Sequence, residues 1–347
     1  MRLLEYAREH FDLLQTGVAQ TASRNLRNAE FVNHYYGSVP WCKLYLLVSQ
    51  AHDVVGTLGI EHMPFRVGSK KLSGGFGTNY YSLDSGAGGF LFLHWLKNCD
   101  FGIFFGGSPD AHKVIRSQRW PFFDGVHVYL LNKPYEVYED DPAWKRAAKW
   151  AVRQATQRRI ESYSRKIPQH IQNRIAVQEE TTYTDDLLPR HSPFEFRFDP
   201  DASYLAWRYN TQLPFARYRL FRILASGKTA GYVVLQDRPD RLLVSHCDAD
   251  DPEVLAWAVG LSILKVCGSD RGPRTVMLTC CHPAMQEIYR SFGFSLDSSH
   301  SFALGSIRRG VGLPANTDTS NWLINFDWGD NGLLNISNPG VSSGSAA

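Results

Sequence analysis

No Cys-x-x-Cys pair occurs among the six cysteines of this 347-residue chain, which excludes the common zinc and dithiol motifs and argues against a disulfide framework. The one local cluster is Cys280, Cys281 and His282. Adjacent residues on a strand point to opposite faces, so the three cannot all ligate one ion, and no metal is expected. Charge of one sign is scarce as well. The 37 Lys+Arg against 34 Asp+Glu leave a net charge of +3, far from the dense positive field of a dedicated nucleic-acid binder. Long apolar runs are missing too: the longest, over 86–96 and 254–264, fall well short of the roughly 20 residues that span a bilayer. Glu5, Arg8, Glu9 and Asp12 interrupt the stretch where an export signal needs an apolar core. A soluble cytoplasmic protein with no membrane span and no nucleic-acid partner is the expectation.

What is present is enough apolar material for more than one core. At 44% hydrophobic and 20% charged residues, a chain of this length reads as two packed domains. The sequence also repeats itself. Pro109, Arg116, Ser117 and Trp120 match Pro283, Arg290, Ser291 and Phe294 at a constant offset of 174 (283 less 109), and Val114 meets Ile288. At the same offset the block from Phe31 to Tyr35 meets the block from Leu205 to Tyr209. A glycine follows each of the latter, at Gly56 and Gly231, and three blocks in one order point to two copies of one domain.

Each copy reads in the same order. Leu3, Leu4, Ala7, Phe11 and Leu14 recur at helical spacing, and a helix over 202–209 opens the second copy. Hairpins follow, with strands over 43–49 and 54–60, and over 218–224 and 230–235. Next come an apolar helix (90–96; 254–266), a short buried strand (Phe101–Phe105; Thr275–Cys280), a helix opened by proline, and a closing strand (126–131; 302–304). Between the copies, residues 143–166 place Trp144, Ala148, Ala151, Val152 and Ala155 on one stripe. They carry eight Lys or Arg against Glu161 alone, which predicts a solvated connecting helix with one packed face, or a helix that attracts phosphates. The chain beyond 307 is rich in Gly, Asn and Ser, and its end is expected to be disordered.

Hairpin, glycine loop opening a helix, strand, then a proline-initiated helix ending in Tyr289, Gly293 and Phe294: this order resembles the GNAT acyl-CoA N-acyltransferase domain. Two such units in tandem look like GNAT proteins of surface-polysaccharide biosynthesis, distantly akin to the FemAB type. The features that match are the run from Leu205 to Tyr209, the loop from Ser85 to Gly89, and the tail from Trp322 to Asp330. The resemblance implies an α/β (mixed α+β) fold class of two tandem GNAT-like domains, each a mixed, mainly antiparallel sheet flanked by helices. The first would cover 1–140, a basic linker helix and connection 141–180, the second 181–330, and a disordered tail 331–347. Acyl-CoA is the implied co-substrate, an amino sugar, free or nucleotide-linked, the implied small-molecule acceptor, and the cleft between domains its place. Two alternatives stand beside it: FemAB-like transfer to a peptide or peptidoglycan precursor, and an inactive tandem scaffold that binds a pathway ligand or partner.

The chemistry can be placed on residues. Ser85, Gly86, Ala87, Gly88 and Gly89 let a backbone approach a diphosphate at a helix start, where N–H groups present partial positive charge. Asp84 stands where the family usually carries Arg or Gln. The second copy has no glycine at that place and instead carries Asp248, Asp250, Asp251 and Glu253, which repel anions. Glu61 and His62, following an apolar strand, are the candidate proton acceptors for an attacking amine. Tyr289 fills the family's general-acid position and suits protonation of a departing thiolate. Its counterpart in the first copy is Ile115. Trp207, Arg208 and Tyr209 are candidates for stacking on the acceptor and pairing with a phosphate.

Overall fold

The structure, a computed structural model, describes residues 1–17, 24–37, 39–83, 85–105, 109–132, 142–163, 167–238, 241–269, 275–308, 310–314, 318–325 and 327. In chain order the elements are β1 (Arg2–Glu5), α1 (Phe11–Leu14), α2 (Ala29–Tyr36), β2 (Cys42–Val48), β3 (Val54–Val67), β4 (Lys70–Ser82), α3 (Ser85–Lys97), β5 (Phe101–Phe105), α4 (Pro109–Ser117) and β6 (Phe122–Leu131). After α5 (Ala143–Tyr163), α6 (Gln169–Arg174), β7 (Ile175–Glu180), β8 (Phe196–Phe198) and α7 (Ala202–Arg208), the same order returns. It runs β9 (Tyr218–Ala225), β10 (Lys228–Asp237), β11 (Arg241–Ala249), α8 (Pro252–Ser269), β12 (Thr275–Cys280), α9 (Pro283–Ser291) and β13 (Ser295–Gly305), with a short β14 (Trp322–Leu323) beyond it. The tandem mixed α/β organisation expected from the repeat is therefore the one found.

One continuous sheet holds both copies, in the order β1-β2-β3-β4-β5-β13-β6-β12-β11-β10-β9-β7. The closing strands have changed places: β13 pairs with β5 of the first copy, and β6 pairs with β12 of the second. They meet each other in an antiparallel ladder in which His300 stands opposite Val126, its own counterpart at the offset of 174. An antiparallel pair of equivalent strands that registers a residue against its equivalent has a local twofold at that point. A core cluster lies around this axis and draws on both copies, with Phe65, Phe76 and Phe101 beside Phe196, Phe302 and Trp322. Phe123 stacks on Phe302 at 5.4 Å and meets Trp322 at 5.0 Å.

Two strands essential to the site have weak signals in the sequence. β4 carries Gly74, Gly75 and Gly77, which a strand reading penalises. Here the glycines are needed because neighbours press on the strand: a Cβ at Gly74 would lie 2.7 Å from the Phe65 ring, and one at Gly75 would lie 2.8 Å from Cys99. β11, with Ser245, His246 and Asp248 buried, is polar in composition and equally hidden from a pattern search. Two expectations need correction. Arg2–Glu5 is an edge strand on β2, not a helix; the neighbouring strand satisfies its backbone, and tertiary pairing overrides a short periodic pattern. The expected stripe on α5 is not packed: Trp144 and Val152 are 73% and 40% exposed, and Ala148, Ala151 and Ala155 are exposed as well. The expected disorder of the end of the chain falls outside the described residues.

Because β13 belongs to the first copy's sheet, damage to it should spread there. Phe302→Ala removes a fully buried ring and should cost about 3–5 kcal/mol. Hydrogen exchange followed by mass spectrometry should show faster exchange in β5 and β6 as well as β13. Acceleration confined to residues 275–305 would mean that the exchanged strands do not couple the halves.

Candidate functional site

In each copy a parallel strand pair opens into a groove. β4 and β5 pair only from Gly74 to Phe76 against Phe101 to Ile103, after which β4 runs on to Ser82 without β5 beside it. β11 and β12 pair only from Arg241 to Leu243 against Thr275 to Met277, and β11 continues to Ala249. Both continuing strands are bulged just past the parting point. The β3/β4 register shifts between Thr57 and Gly59, with Asn79 at φ 47°, and the β10/β11 register shifts between Val234 and Leu235, opposite Ser245. A bulge bends the strand away from its neighbour and leaves backbone groups unpaired in the ladder.

The first groove leads straight to the glycine loop. Gly86, Ala87, Gly88 and Gly89 form the first turns of α3, whose Ala87, Leu91 and Trp95 pack down on β3 and β4. Asp84 and the side chain of Ser85 lie outside the described residues. The glycines are not equivalent. A Cβ on Gly88 would meet the Ser82 hydroxyl at 2.8 Å, and the Gly88 carbonyl accepts the Tyr80 hydroxyl at 2.6 Å, so Gly88 serves close packing. Gly89 has nothing within 4 Å of its would-be side chain among the described residues. It is the position open to a ligand.

Glu61 and Arg208, called on separate grounds, are brought together. Arg208 Nε donates to Glu61 Oε1 at 2.8 Å, the Tyr204 hydroxyl donates to the same oxygen at 2.5 Å, and both charged side chains are 1% exposed. The guanidinium also lies over the rings of Tyr35 and Tyr209 at 5.4 Å each. Around it, α2 and α7 face one another through reciprocal bonds: His34 Nε2 donates to the Trp207 carbonyl at 3.0 Å, and Trp207 Nε1 donates to the His34 carbonyl at 3.2 Å. Trp207 stacks on Trp41 at 5.3 Å, and Tyr209 meets Tyr218 at 5.3 Å. Trp207, Arg208 and Tyr209 are 7%, 1% and 2% exposed, so they offer an acceptor no free surface here and instead join the copies.

The other expected residues stand apart from this cluster. Alternation along β3 turns His62 to the face opposite Glu61. It is half-buried, and desolvation, with Lys43 as the next cause, lowers its pKa, which favours neutral imidazole. Tyr289 belongs to the second copy's core beside Cys247, Cys280 and Met285. Its hydroxyl pKa is pushed well up by burial. Ile115, its first-copy counterpart, is buried at 2%. Among the described residues no cluster of three or more His, Cys, Asp or Glu is placed to hold a metal ion, and no helix is long and apolar enough to cross a membrane.

Sequence reasoning missed Tyr35, Tyr204, Tyr218 and Asp327. Asp327 reaches the Arg208 cluster from the tail. It is 3% exposed. Burial raises its pKa from 3.8 to about 6, with Arg208 and the neighbouring Ser245 opposing the rise. His246 in the same region is pushed down to about 3 by burial and then by Arg208. Tyr35 and Tyr209 are equivalents in the repeat, and Asp327 lies in the tail that carries the resemblance, which were the available signals; nothing in the sequence marked Tyr204 or Tyr218.

No protein-family model matches the chain, and no curated protein sequence is significantly similar to it. Solved structures are similar in fold. One is a conserved protein from Enterococcus faecalis V583 described as a probable N-acyltransferase, with a TM-score of 0.56 at 8% identity, covering 90% of this chain and 74% of that one. Another is a GCN5-related N-acetyltransferase from Anabaena variabilis ATCC 29413, with a TM-score of 0.50 at 12% identity, covering 91% and 75%. The fold these likenesses show is the GNAT fold.

Two tests follow from the buried cluster. Arg208→Met leaves Glu61 without its partner and should cost about 3–5 kcal/mol in urea unfolding, while adding Glu61→Leu should recover most of that loss. No recovery in the double variant would mean the pair does not act as a unit. Asp327 favours its protonated form when folded, so its contribution is present below the ordinary carboxylate range and is lost as pH rises from about 4 through about 6. Asp327→Asn should therefore gain stability relative to the parent over that window, levelling at roughly 3 kcal/mol or less. A difference independent of pH between 4 and 7 would show that Asp327 is not buried against the cluster.

Proposed function

We propose that the protein is an acyl-CoA-dependent N-acyltransferase whose donor lies on the first unit, 1–140. The pyrophosphate would rest on the start of α3 and the acyl-bearing arm between β4 and β5. The observation that carries this reading is a single place in the fold: the groove left by β4 as it parts from β5 ends at Ser82, three residues before the glycine start of α3. Backbone N–H groups there suit a diphosphate, and those freed by the bulge suit the oxyanion of an acyl-transfer intermediate.

In the reaction an amine nitrogen bonds to the acyl carbon, the carbon–sulfur bond breaks, and the thiolate takes up a proton. The attacking amine must first lose one. Glu61 is committed to Arg208 and Tyr204 through Oε1, while among the described residues its Oε2 is buried without a partner; the reading therefore gives proton acceptance to His62, whose neutral imidazole suits the task. Tyr289 stands beside the other groove, in the second unit, 181–330, and is assigned no proton transfer in the first. The amino-sugar acceptor, the cytoplasmic location and the link to surface polysaccharides rest on the sequence resemblance. A second reading, a non-catalytic scaffold, is favoured by the commitment of Glu61 to an internal ion pair, and differs in expecting no turnover.

Calorimetry with acetyl-CoA separates these outcomes. Gly89→Glu adds a negative side chain at the open position and should weaken binding by at least tenfold with an unchanged melting temperature. Gly88→Glu should instead destabilise the fold by clashing with Ser82. Equal affinity in the Gly89 variant and the parent would remove the α3 start from the site, and binding without acylation of any amino sugar would favour the scaffold.

A further inference from the structure

The second groove is not empty. Beyond β14, which pairs with β8, the chain enters the space between β11 and β12 and runs antiparallel to β11. Asn325 Oδ1 accepts from the Cys247 backbone N–H at 3.1 Å and Asn325 Nδ2 donates to the Cys247 carbonyl at 3.4 Å. Two residues on, the Asp327 N–H donates to the Ser245 carbonyl at 3.4 Å. On the other side the Thr279 hydroxyl of β12 donates to the Ile324 carbonyl at 2.7 Å. Ile324 and Asn325 are 2% and 4% exposed, and Trp322 and Ile324 belong to the core shared by both copies.

The anion position of this copy is also filled from within. Asp251 caps α8 by accepting from the Val254 N–H at 2.9 Å. Asp250 accepts from the His191 N–H at 2.8 Å, and Asp248 accepts from Ser192 and pairs with Arg197 at 3.2 Å. At the helix start of the second copy one backbone N–H is thus satisfied by the chain's own carboxylate.

We infer that the groove between β11 and β12 is a peptide-strand site whose residents are the chain's own residues 322–325 and 327, leaving one acyl-CoA site per chain. Both edges of a parted strand pair present unpaired backbone groups, and an extended peptide satisfies them by strand addition. The side-chain amide of Asn325 supplies the donor and acceptor that a ladder residue would supply from its backbone. The resident strand also carries Asp327 to the cluster around Arg208, so occupancy of the second groove bears on the joint between the copies. The contrast with the first groove rests on the acyl-CoA reading; the peptide occupancy does not.

Hydrogen exchange of the full chain, followed by mass spectrometry, tests the occupancy without any ligand. Peptides covering 241–249 and 318–325 should exchange slowly. Asn325→Ala should accelerate both at least tenfold while β4 is unchanged, and Thr279→Val, which removes only the donor to Ile324, should accelerate the tail peptide. Exchange of the tail at the rate of unstructured chain in the parent would overturn the proposal. Saturating acetyl-CoA should leave the tail's exchange unchanged and titrate at one per chain. Release of the tail by acetyl-CoA, or a stoichiometry of two, would sink the single-site claim, whereas no binding at all would withdraw the acyl-CoA reading and leave the exchange data to decide the groove.

Discussion

Each copy of the repeat ends in a strand that the other copy's sheet holds. With β13 withdrawn, β5 would expose its edge; with β6 withdrawn, β12 would do the same, and open edges of this length invite non-native pairing. The antiparallel ladder between β6 and β13 removes both edges at once and fixes a local twofold through Val126 and His300. The positions of the grooves relative to one another, the meeting of α2 with α7, and the aromatic core around Phe123, Phe302 and Trp322 all follow from that register.

A consequence of the twofold is that α2 and α7 bring equivalent faces together, and a polar group on one finds a partner on the other. The reciprocal bonds of His34 and Trp207 are uncharged and satisfy backbone carbonyls. Glu61 and Arg208 are charged and fully buried, where desolvation offsets much of their mutual attraction. The tyrosines around them supply partial compensation: Tyr204 donates to Glu61, and the rings of Tyr35 and Tyr209 face the guanidinium. Such a pair contributes less net stability than a good apolar contact of the same volume, yet it admits only one docking of the two copies.

The copies share a fold and have diverged in their grooves. In the first, close packing at Gly75 and Gly88 holds α3 against the sheet while Gly89 stays open among the described residues. In the second, the Asp251 carboxylate caps the helix start and the tail fills the parted strands. Divergence of this kind needs no change in the sheet, because the groove walls are backbone and the filling is done by loops and by a segment outside the repeat.

The repeat, the order of the helices and of most strands, and the glycine start of α3 are legible in the chain alone, because each is written in a local pattern: an offset, a period, a run of residues without side chains. The sequence also pointed to Glu61, Arg208 and Tyr209 as residues of consequence, but to separate tasks. Tertiary structure alone decided that Glu61 and Arg208 are partners 147 residues apart, that β13 and β6 trade sheets, and that Asn325 lies on Cys247. These are contacts between distant segments, whose register is set by the summed packing of both copies, and no local window of the chain contains that sum. The strands β4 and β11 show the boundary between the two kinds of information. Their glycines and buried polar groups contradict strand propensity, and they become strands only because neighbouring strands satisfy their backbones and neighbouring rings require the space that a side chain would fill.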